Sequence, residues 1–352
     1  MSFLINYKNF EKDIYVPKNS KDFNEKYNIK KIKVNILANK LKFLSLVGSV
    51  NLINKGVGFV SKINKPLLYN LGYCDNKVFK KIFPGINCSY DDIRKPKFVD
   101  YVWNKNNFNG ITLFCDNQIS DVTKFKSKYK IAIVNESKNI NKFCHKAIHD
   151  YHQYFDLIFT HNKDILKKYP DKTIFTPGSA VILEWEQIKI FKKNKLISFP
   201  TSSKFRGLEG YKIREKIKNC ILNKKFNKKI DTFGAGFGKP FISKIICLKD
   251  YMFCICLENS KYDYYVTEKL FDVILTGCVP IYWGMPSINE IFDERGIITF
   301  NNLEELKEII NNLTEEKYNN MLPYVERNFN IAKKFIDWDD NVVKSVCDKL
   351  KI

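Results

Sequence analysis

The sequence predicts an α/β protein built as two Rossmann-like domains, each a parallel sheet flanked by helices, facing one another across a cleft. Three observations predict it. Short apolar runs alternate with helical patterns in two successive series, one on each side of a lysine-rich connection at residues 189–195. The segment 251–257, Tyr-Met-Phe-Cys-Ile-Cys-Leu, is a nearly unbroken apolar run, which suits a strand covered on both faces. The 352 residues also exceed what one ordinary domain needs and suffice for two of about 150 residues, each able to bury a core. The boundary is read at 190/191.

Residues 1–95 carry a polar start, a strand pattern at 31–37, an apolar stretch at 41–60 and a turn-rich passage through Pro84 and Gly85, with no legible topology. From about residue 98 the pattern sharpens. Residues 111–114 and 130–134 read as buried strands, 140–154 as a helix and 155–160 as a strand. A short helix at 163–169, ended by Pro170, leads to a strand at 174–176 closed by Pro177-Gly178. The second series runs strand 196–199, helix 211–221, strand 230–233, strand 251–257 and helix 266–276, with Gly277 placed to end that helix. A strand at 279–283, a short helix at 286–292, a strand at 296–300 and a helix at 303–313 opened by Asn301 or Asn302 complete it.

Composition narrows the function. A net charge of +21 suits an anionic partner, but the lysines are scattered, Arg is scarce, and no helix-turn-helix, zinc-finger or RNP-like pattern accompanies the charge. A phosphorylated small molecule is expected, and nucleic acid is not. Of the ten cysteines, Cys247, Cys254, Cys256 and Cys278 lie in apolar runs, the setting of buried free thiols in a reducing compartment, and no CxxC pair suggests zinc. The start of the chain lacks a signal-peptide core, and the 41–60 stretch is broken by Asn51, Asn54 and Lys55, so no transmembrane segment is expected. Asn87 and Asn312 stand in glycosylation sequons that mean little without secretion.

The chemistry concentrates where strand 251–257 empties into a polar loop: Glu258-Asn259-Ser260, then Tyr264-Tyr265-Val266-Thr267-Glu268-Lys269, then Gly277-Cys278-Val279-Pro280-Ile281-Tyr282-Trp283-Gly284. Ligands of open α/β sheets bind beyond the carboxyl ends of strands, and free amides at a helix N-terminus attract phosphate. With Thr267, Glu268 and Lys269 in the first turn, Lys269 can neutralise a diphosphate, Glu268 can accept from ribose hydroxyls and Thr267 can cap or donate. First-turn Thr and Glu are also ordinary caps.

The whole string closely resembles the signature of the α-1,3/4-fucosyltransferases, glycosyltransferase family 10, and the resemblance extends over residues 196 to about 315. It implies the GT-B fold, a nucleotide-sugar donor held mainly by the second domain, chemistry without a metal or other cofactor, and an acceptor that is a glycan, glycolipid or glycoprotein. By this resemblance Arg214 and Lys269 meet the donor diphosphate, Glu268 the ribose, and Tyr265 and Asn259 other parts of the donor. Glu258 either faces the sugar or anchors the loop. The donor implied is GDP-fucose, the reaction an inverting transfer of L-fucose to a hydroxyl. The alternatives are a same-fold transferase using a UDP-, dTDP- or other GDP-sugar, and a non-catalytic sugar- or nucleic-acid-binding protein. The family's animal-type membrane stem is missing from the pattern, so a cytoplasmic enzyme of bacterial or viral type, in the host cytoplasm if viral, is expected.

Inversion needs a base on the first domain. Glu136, in Ile133-Val134-Asn135-Glu136-Ser137 after a strand, resembles the family's base carboxylate, and Asp116 is its competitor. His145, His149 and His152 could share a helix face, but no HExxH pattern or third ligand makes them a metal site, and a polar face toward the acceptor is the reading kept. Acceptor determinants are expected near 145–152 and 177–185. Gly234-Ala235-Gly236-Phe237-Gly238 fails the dinucleotide fingerprint, because Lys239-Pro240 follows where a helix should begin; a flexible turn near the donor is expected.

Overall fold

A computed structural model describes residues 32–37, 99–103, 107–178, 187–203, 207–239, 244–336 and 338–352, with backbone alone for the first two segments and Asp339. The 41–60 stretch, Asn87, and the predicted acceptor loop beyond Gly178 lie outside the described residues.

Two parallel sheets follow one another along the chain. The first has β1 (Ile32–Leu37), β2 (Val99–Trp103), β3 (Asn107–Cys115), β4 (Lys126–Val134), β5 (Leu157–Thr160) and β6 (Thr173–Phe175), in the order β2-β1-β3-β4-β5-β6. The second has β7 (Lys195–Pro200), β8 (Asp231–Phe233), β9 (Tyr251–Leu257), β10 (Val279–Trp283) and β11 (Ile298–Thr299), in the order β11-β10-β9-β7-β8. All their pairings are parallel. This is the two-sheet α/β arrangement expected of a GT-B chain.

Strand β9 shows why its apolar run is continuous. All seven residues are buried, Phe253, Ile255 and Leu257 on one face and Cys254 and Cys256 on the other, each within its own core cluster. The first sheet is likewise covered twice. Helices α1 (Lys142–Tyr151) and α2 (Lys163–Lys168) pack Cys144, Ala147, Ile148 and Ile165 against Phe114, Ala132, Val134 and Ile158. The opposite face, with Ile111, Leu113, Ile131, Ile133 and Phe159, receives Val342, Val343 and Val346 from the last helix, Trp338–Leu350. The chain therefore returns to its first sheet at its end, where the sequence reading had assigned everything after 190 to the second domain.

Three predicted elements change. The helix expected over 266–276 is shorter, Glu268–Ile274, because Thr267 is its cap and the Val266 carbonyl is spent outside the helix, accepting from Gly178 N at 2.9 Å. The helix expected at 286–292 is a single 3-10 turn, Ile288–Glu290. The strand expected at 296–300 shrinks to two residues, since Gly296 closes a 3-10 turn packed so tightly on the helix Glu315–Ala332 that a Cβ there would lie 2.9 Å from Tyr324 O. The 234–238 turn is tight: Gly234 has φ +94°, and an added Cβ would meet Thr201 O at 2.2 Å. Gly277, at φ +77°, closes the turn after the helix Glu268–Ile274, whose C-terminal cap is Leu275, two residues before the expected position. Strand β2 and the two helices after residue 314 were not read from the sequence.

Candidate functional site

In the second sheet the chain runs from β7 outward to β8, then crosses to β9 on the other side, so the strand order reverses between β7 and β9. A crevice at the carboxyl end of such a reversal is where open α/β sheets bind ligands. The loop after β9 and the first turn of the helix that follows β7 meet there. That helix, Glu209–Leu222, presses its first turn on the loop: a Cβ on Gly210 would lie 2.1 Å from Glu258 O, so only glycine permits the approach. One turn on, Arg214 reaches the end of β9.

Arg214 is buried, its guanidinium over the Tyr211 ring at 5.0 Å. Its hydrogen bonds to Ser202 Oγ and Leu257 O are both 3.4 Å long, and among the described residues no carboxylate lies within ion-pair reach of it. Burial lowers its pKa from the ordinary guanidinium value, against Tyr211 and the carboxylates of Glu258 and Glu268. A guanidinium with five N–H donors and two long bonds has donors to spare for an anion.

Glu258 is fully buried and anchors the loop. Its Oε1 accepts from Thr267 N at 2.9 Å, and the Thr267 hydroxyl lies 2.8 and 2.9 Å from its two oxygens. Lys269 Nζ donates to Thr267 Oγ1 at 2.8 Å and sits 3.3 Å from Glu258 and 3.2 Å from Glu268. Burial works against this ammonium, but Glu258 and Glu268 outweigh it and hold the Lys269 pKa well above the usual lysine value, so the group stays charged. Its side chain keeps 30% exposure, while that of Glu258 has none. Lys269 thus presents a fixed, partly open positive charge, close enough to Arg214 for the two cations to feel one another.

Lys244, which the sequence reading missed, holds this helix from the side. Its amine bonds Asp272 Oδ2 at 2.7 Å and Glu268 O at 3.3 Å, with the Asp272 side chain fully buried. Tyr264, at φ +63°, carries local backbone strain in the loop, secured by a hydrogen bond to Glu290.

Asn259 and Tyr265 bond one another and join the two sheets' loops. Asn259 Nδ2 donates to Tyr265 Oη at 2.9 Å, and Asn259 Oδ1 accepts from Ser137 Oγ of the first sheet's loop at 3.1 Å. Ser137 also lies 3.1 Å from Ser260 Oγ. Burial raises the Tyr265 pKa well above the phenolic value; Lys269 opposes the rise, while Glu258, Glu136 and Glu268 add to it. The loops at the carboxyl ends of both sheets therefore touch, with Glu136 on one side and the Lys269 cluster on the other.

Glu136 follows β4 and is half-buried. Its backbone is pinned at both ends. Asp116 Oδ1 accepts from the amides of Asn135 and Glu136 at 3.0 and 3.2 Å, which makes Asp116, read as the competing base, an anchor of the Glu136 loop. The Glu136 carbonyl accepts from His145 Nε2 at 2.8 Å and His161 Nε2 at 3.2 Å. His145 therefore faces the interior, contrary to the polar face predicted; His149 bonds Tyr169 Oη at 3.1 Å and His152 stacks on the same ring. Among the described residues no three His, Cys, Asp or Glu side chains are grouped to hold a metal ion. Among them too, no helix is long and apolar enough to cross a membrane.

Residues 192–351 match the model of glycosyltransferase family 10 (fucosyltransferase), C-terminal part. An alpha-(1,3)-fucosyltransferase, FucT, of Helicobacter pylori is 36% identical over 63 residues, 18% of this chain and 13% of that protein. Alpha-(1,3)-fucosyltransferase B of Drosophila melanogaster is 35% identical over 74 residues, 20% of this chain and 17% of that protein. The chain thus spans under a fifth of the length of these curated relatives. A crystal structure of an alpha1,3-fucosyltransferase with GDP aligns over 95% of both chains at 14% identity and a TM-score of 0.49. Residues 192–351, the unit that holds Arg214 and the Lys269 cluster, are thus similar to the C-terminal part of the glycosyltransferase family 10 enzymes.

Proposed function

We propose that the protein is an inverting fucosyltransferase that moves L-fucose from GDP-fucose to a hydroxyl of a glycan acceptor. The observation that carries this reading is the pair Arg214 and Lys269 at the β7/β9 reversal, one guanidinium with unused donors and one ammonium held charged. Breaking the anomeric bond leaves the electron pair on the diphosphate, so its negative charge grows as the sugar becomes cationic. Two fixed cations in a partly desolvated site stabilise that developing charge more than they stabilise the bound donor, which lowers the barrier. They do the work that a divalent ion does at other diphosphate sites.

Glu268, in the first helical turn, is the residue we assign to the ribose hydroxyls, with Thr267 capping the helix beside it. Glu258 keeps the loop in shape. Glu136 takes the proton of the acceptor hydroxyl as its oxygen attacks the anomeric carbon from the face opposite the diphosphate; the proton ends on the carboxylate and the configuration inverts. Asn259 and Tyr265 tie the donor loop to the Glu136 loop.

The test is a thermal-shift series with GDP, UDP, dTDP and CMP, each with and without EDTA, since a ligand that binds the folded state raises Tm by mass action. GDP is expected to raise Tm, with EDTA changing nothing. Stabilisation by UDP alone would discard the fucose reading and keep a transferase of another nucleotide sugar.

A further inference from the structure

We propose that His161 is a positioning residue that links the donor loop to the proton-accepting carboxylate by holding the Glu136 peptide on one side and the Tyr265 ring on the other. This rests on the reading of Glu136 as the base.

His161 follows β5 and is 2% exposed. Its Nε2 stands 3.2 Å from the Glu136 carbonyl oxygen, a bond that an N–H at Nε2 donates, and the Asn135 backbone is a second partner of the ring. Its ring lies against the Tyr265 ring, centroids 4.8 Å apart. From there the contacts close on themselves: Tyr265 Oη to Asn259, Asn259 to Ser137, and Ser137 is the residue after Glu136. His145, the second donor to the same carbonyl, accepts from Asn162 Nδ2 at its Nδ1 at 2.8 Å and touches His161 edge to face at 5.7 Å.

A carbonyl that is only to be satisfied needs one donor. Here one oxygen receives two buried imidazoles, while the amide of the same residue is tied to Asp116. The backbone on both sides of the Glu136 Cα is thereby fixed, and with it the direction in which the carboxylate leaves the chain. Misplacing a base by about 1 Å can cost on the order of a hundredfold in rate, so such a clamp has catalytic worth. Of its members, Asp116, His145 and Asn162 bond groups of the first sheet's own unit, whereas His161 also packs on a ring from the second. It is therefore the member of the clamp that joins Ser137 in coupling the donor loop to Glu136. Burial, with His145 alongside, holds its pKa near 3, so the imidazole stays neutral through the physiological range.

The experiment follows GDP release from GDP-fucose, with water as the acceptor, in wild type, Glu136→Gln, His161→Phe and His161→Gln, together with GDP affinity by calorimetry. Phe keeps a ring against Tyr265 but loses the donor; Gln keeps an N–H near the Nε2 position. His161→Phe is expected to lower kcat about tenfold, with KM for GDP-fucose and affinity for GDP unchanged, and His161→Gln to recover most of that loss. A wild-type kcat in His161→Phe beside a silent Glu136→Gln overturns the inference and leaves the proposed function standing, as does an equal loss in both His161 variants accompanied by weakened GDP binding. Wild-type turnover in Glu136→Gln removes the base assignment, and the inference falls with it. Independently of turnover, the 15N spectrum of histidine-labelled wild type must show His161 as the Nε2–H tautomer; an Nδ1–H form overturns the inference even if no GDP is released.

Discussion

The carboxyl edges of the two sheets meet, yet they are built from different materials. The second sheet's edge gathers charge: Arg214, Lys269, Lys244, Glu258, Glu268 and Asp272, with Arg214 and Lys269 at the β7/β9 reversal. The first sheet's edge gathers neutral polar groups, namely Ser137, His145, Thr160, His161 and Asn162, around the half-buried Glu136, with the Asp116 carboxylate turned to the backbone of its loop. The first arrangement suits a ligand that carries its own charge; the second suits a single group that must be held still. A charge-rich edge tolerates burial because each lysine is answered by a carboxylate, and the neutral edge because its imidazoles and hydroxyls bond one another and the backbone.

That contrast can be broken in four ways. The largest effect is expected from Glu136→Gln, which should cut transfer by about 10²–10⁴-fold, the span of a general base, and leave the Tm rise with GDP intact. Lys269→Ala should do the converse: the Tm rise with GDP disappears and turnover falls by about 10²–10³-fold, the usual loss when one preorganised charge-stabilising donor is removed. If both variants lose GDP binding alike, the division of labour between the edges is wrong. Lys193 sharpens the same point within the second unit. Its buried amine is spent on the carbonyls of Leu248, Lys249 and Thr276 and on Cys278 Sγ, so it has no ligand to serve. Lys193→Met should cost about 1–3 kcal/mol in chemical denaturation, the cost of orphaned buried acceptors, with GDP affinity unchanged.

The smallest effect belongs to the neutral edge. His161 has a folded pKa of about 3, below its unfolded value, so the unfolded chain binds the extra proton first as pH falls. Its contribution is complete above the unfolded pKa and is lost progressively from there down to about pH 3. In the upper part of that window the wild type should lose up to about 1.4 kcal/mol per pH unit more than His161→Gln, read from denaturation midpoints at pH 6.0, 5.5 and 5.0.

The second edge was the more legible in sequence for a plain reason: its strand, loop and helix are contiguous, so Glu258, Thr267, Glu268 and Lys269 stand within 12 positions of one another. Both strand patterns that bracket them, 251–257 and 279–283, match the observed strands at each end. Residues that act through long-range pairs left no such trace. Lys244 meets Asp272 across 28 positions and His161 meets Glu136 across 25, and a lone lysine or histidine outside a motif carries no pattern. Arg214 would have passed as a surface helix residue without the family resemblance. Asp116 was visible but misread, because an acid after a strand gives no sign of whether it turns to solvent or to the backbone of the next loop. The helix 315–332 was overlooked behind an internal proline, Pro323, and a run of asparagines.

The return of the final helix to the first sheet has a consequence for biosynthesis. Val342, Val343 and Val346 cover a face made by residues 111–159, so that face stays bare while nearly two hundred further residues are added. The amino-terminal unit cannot finish folding as it leaves the ribosome; it must wait for the last helix to emerge and close it.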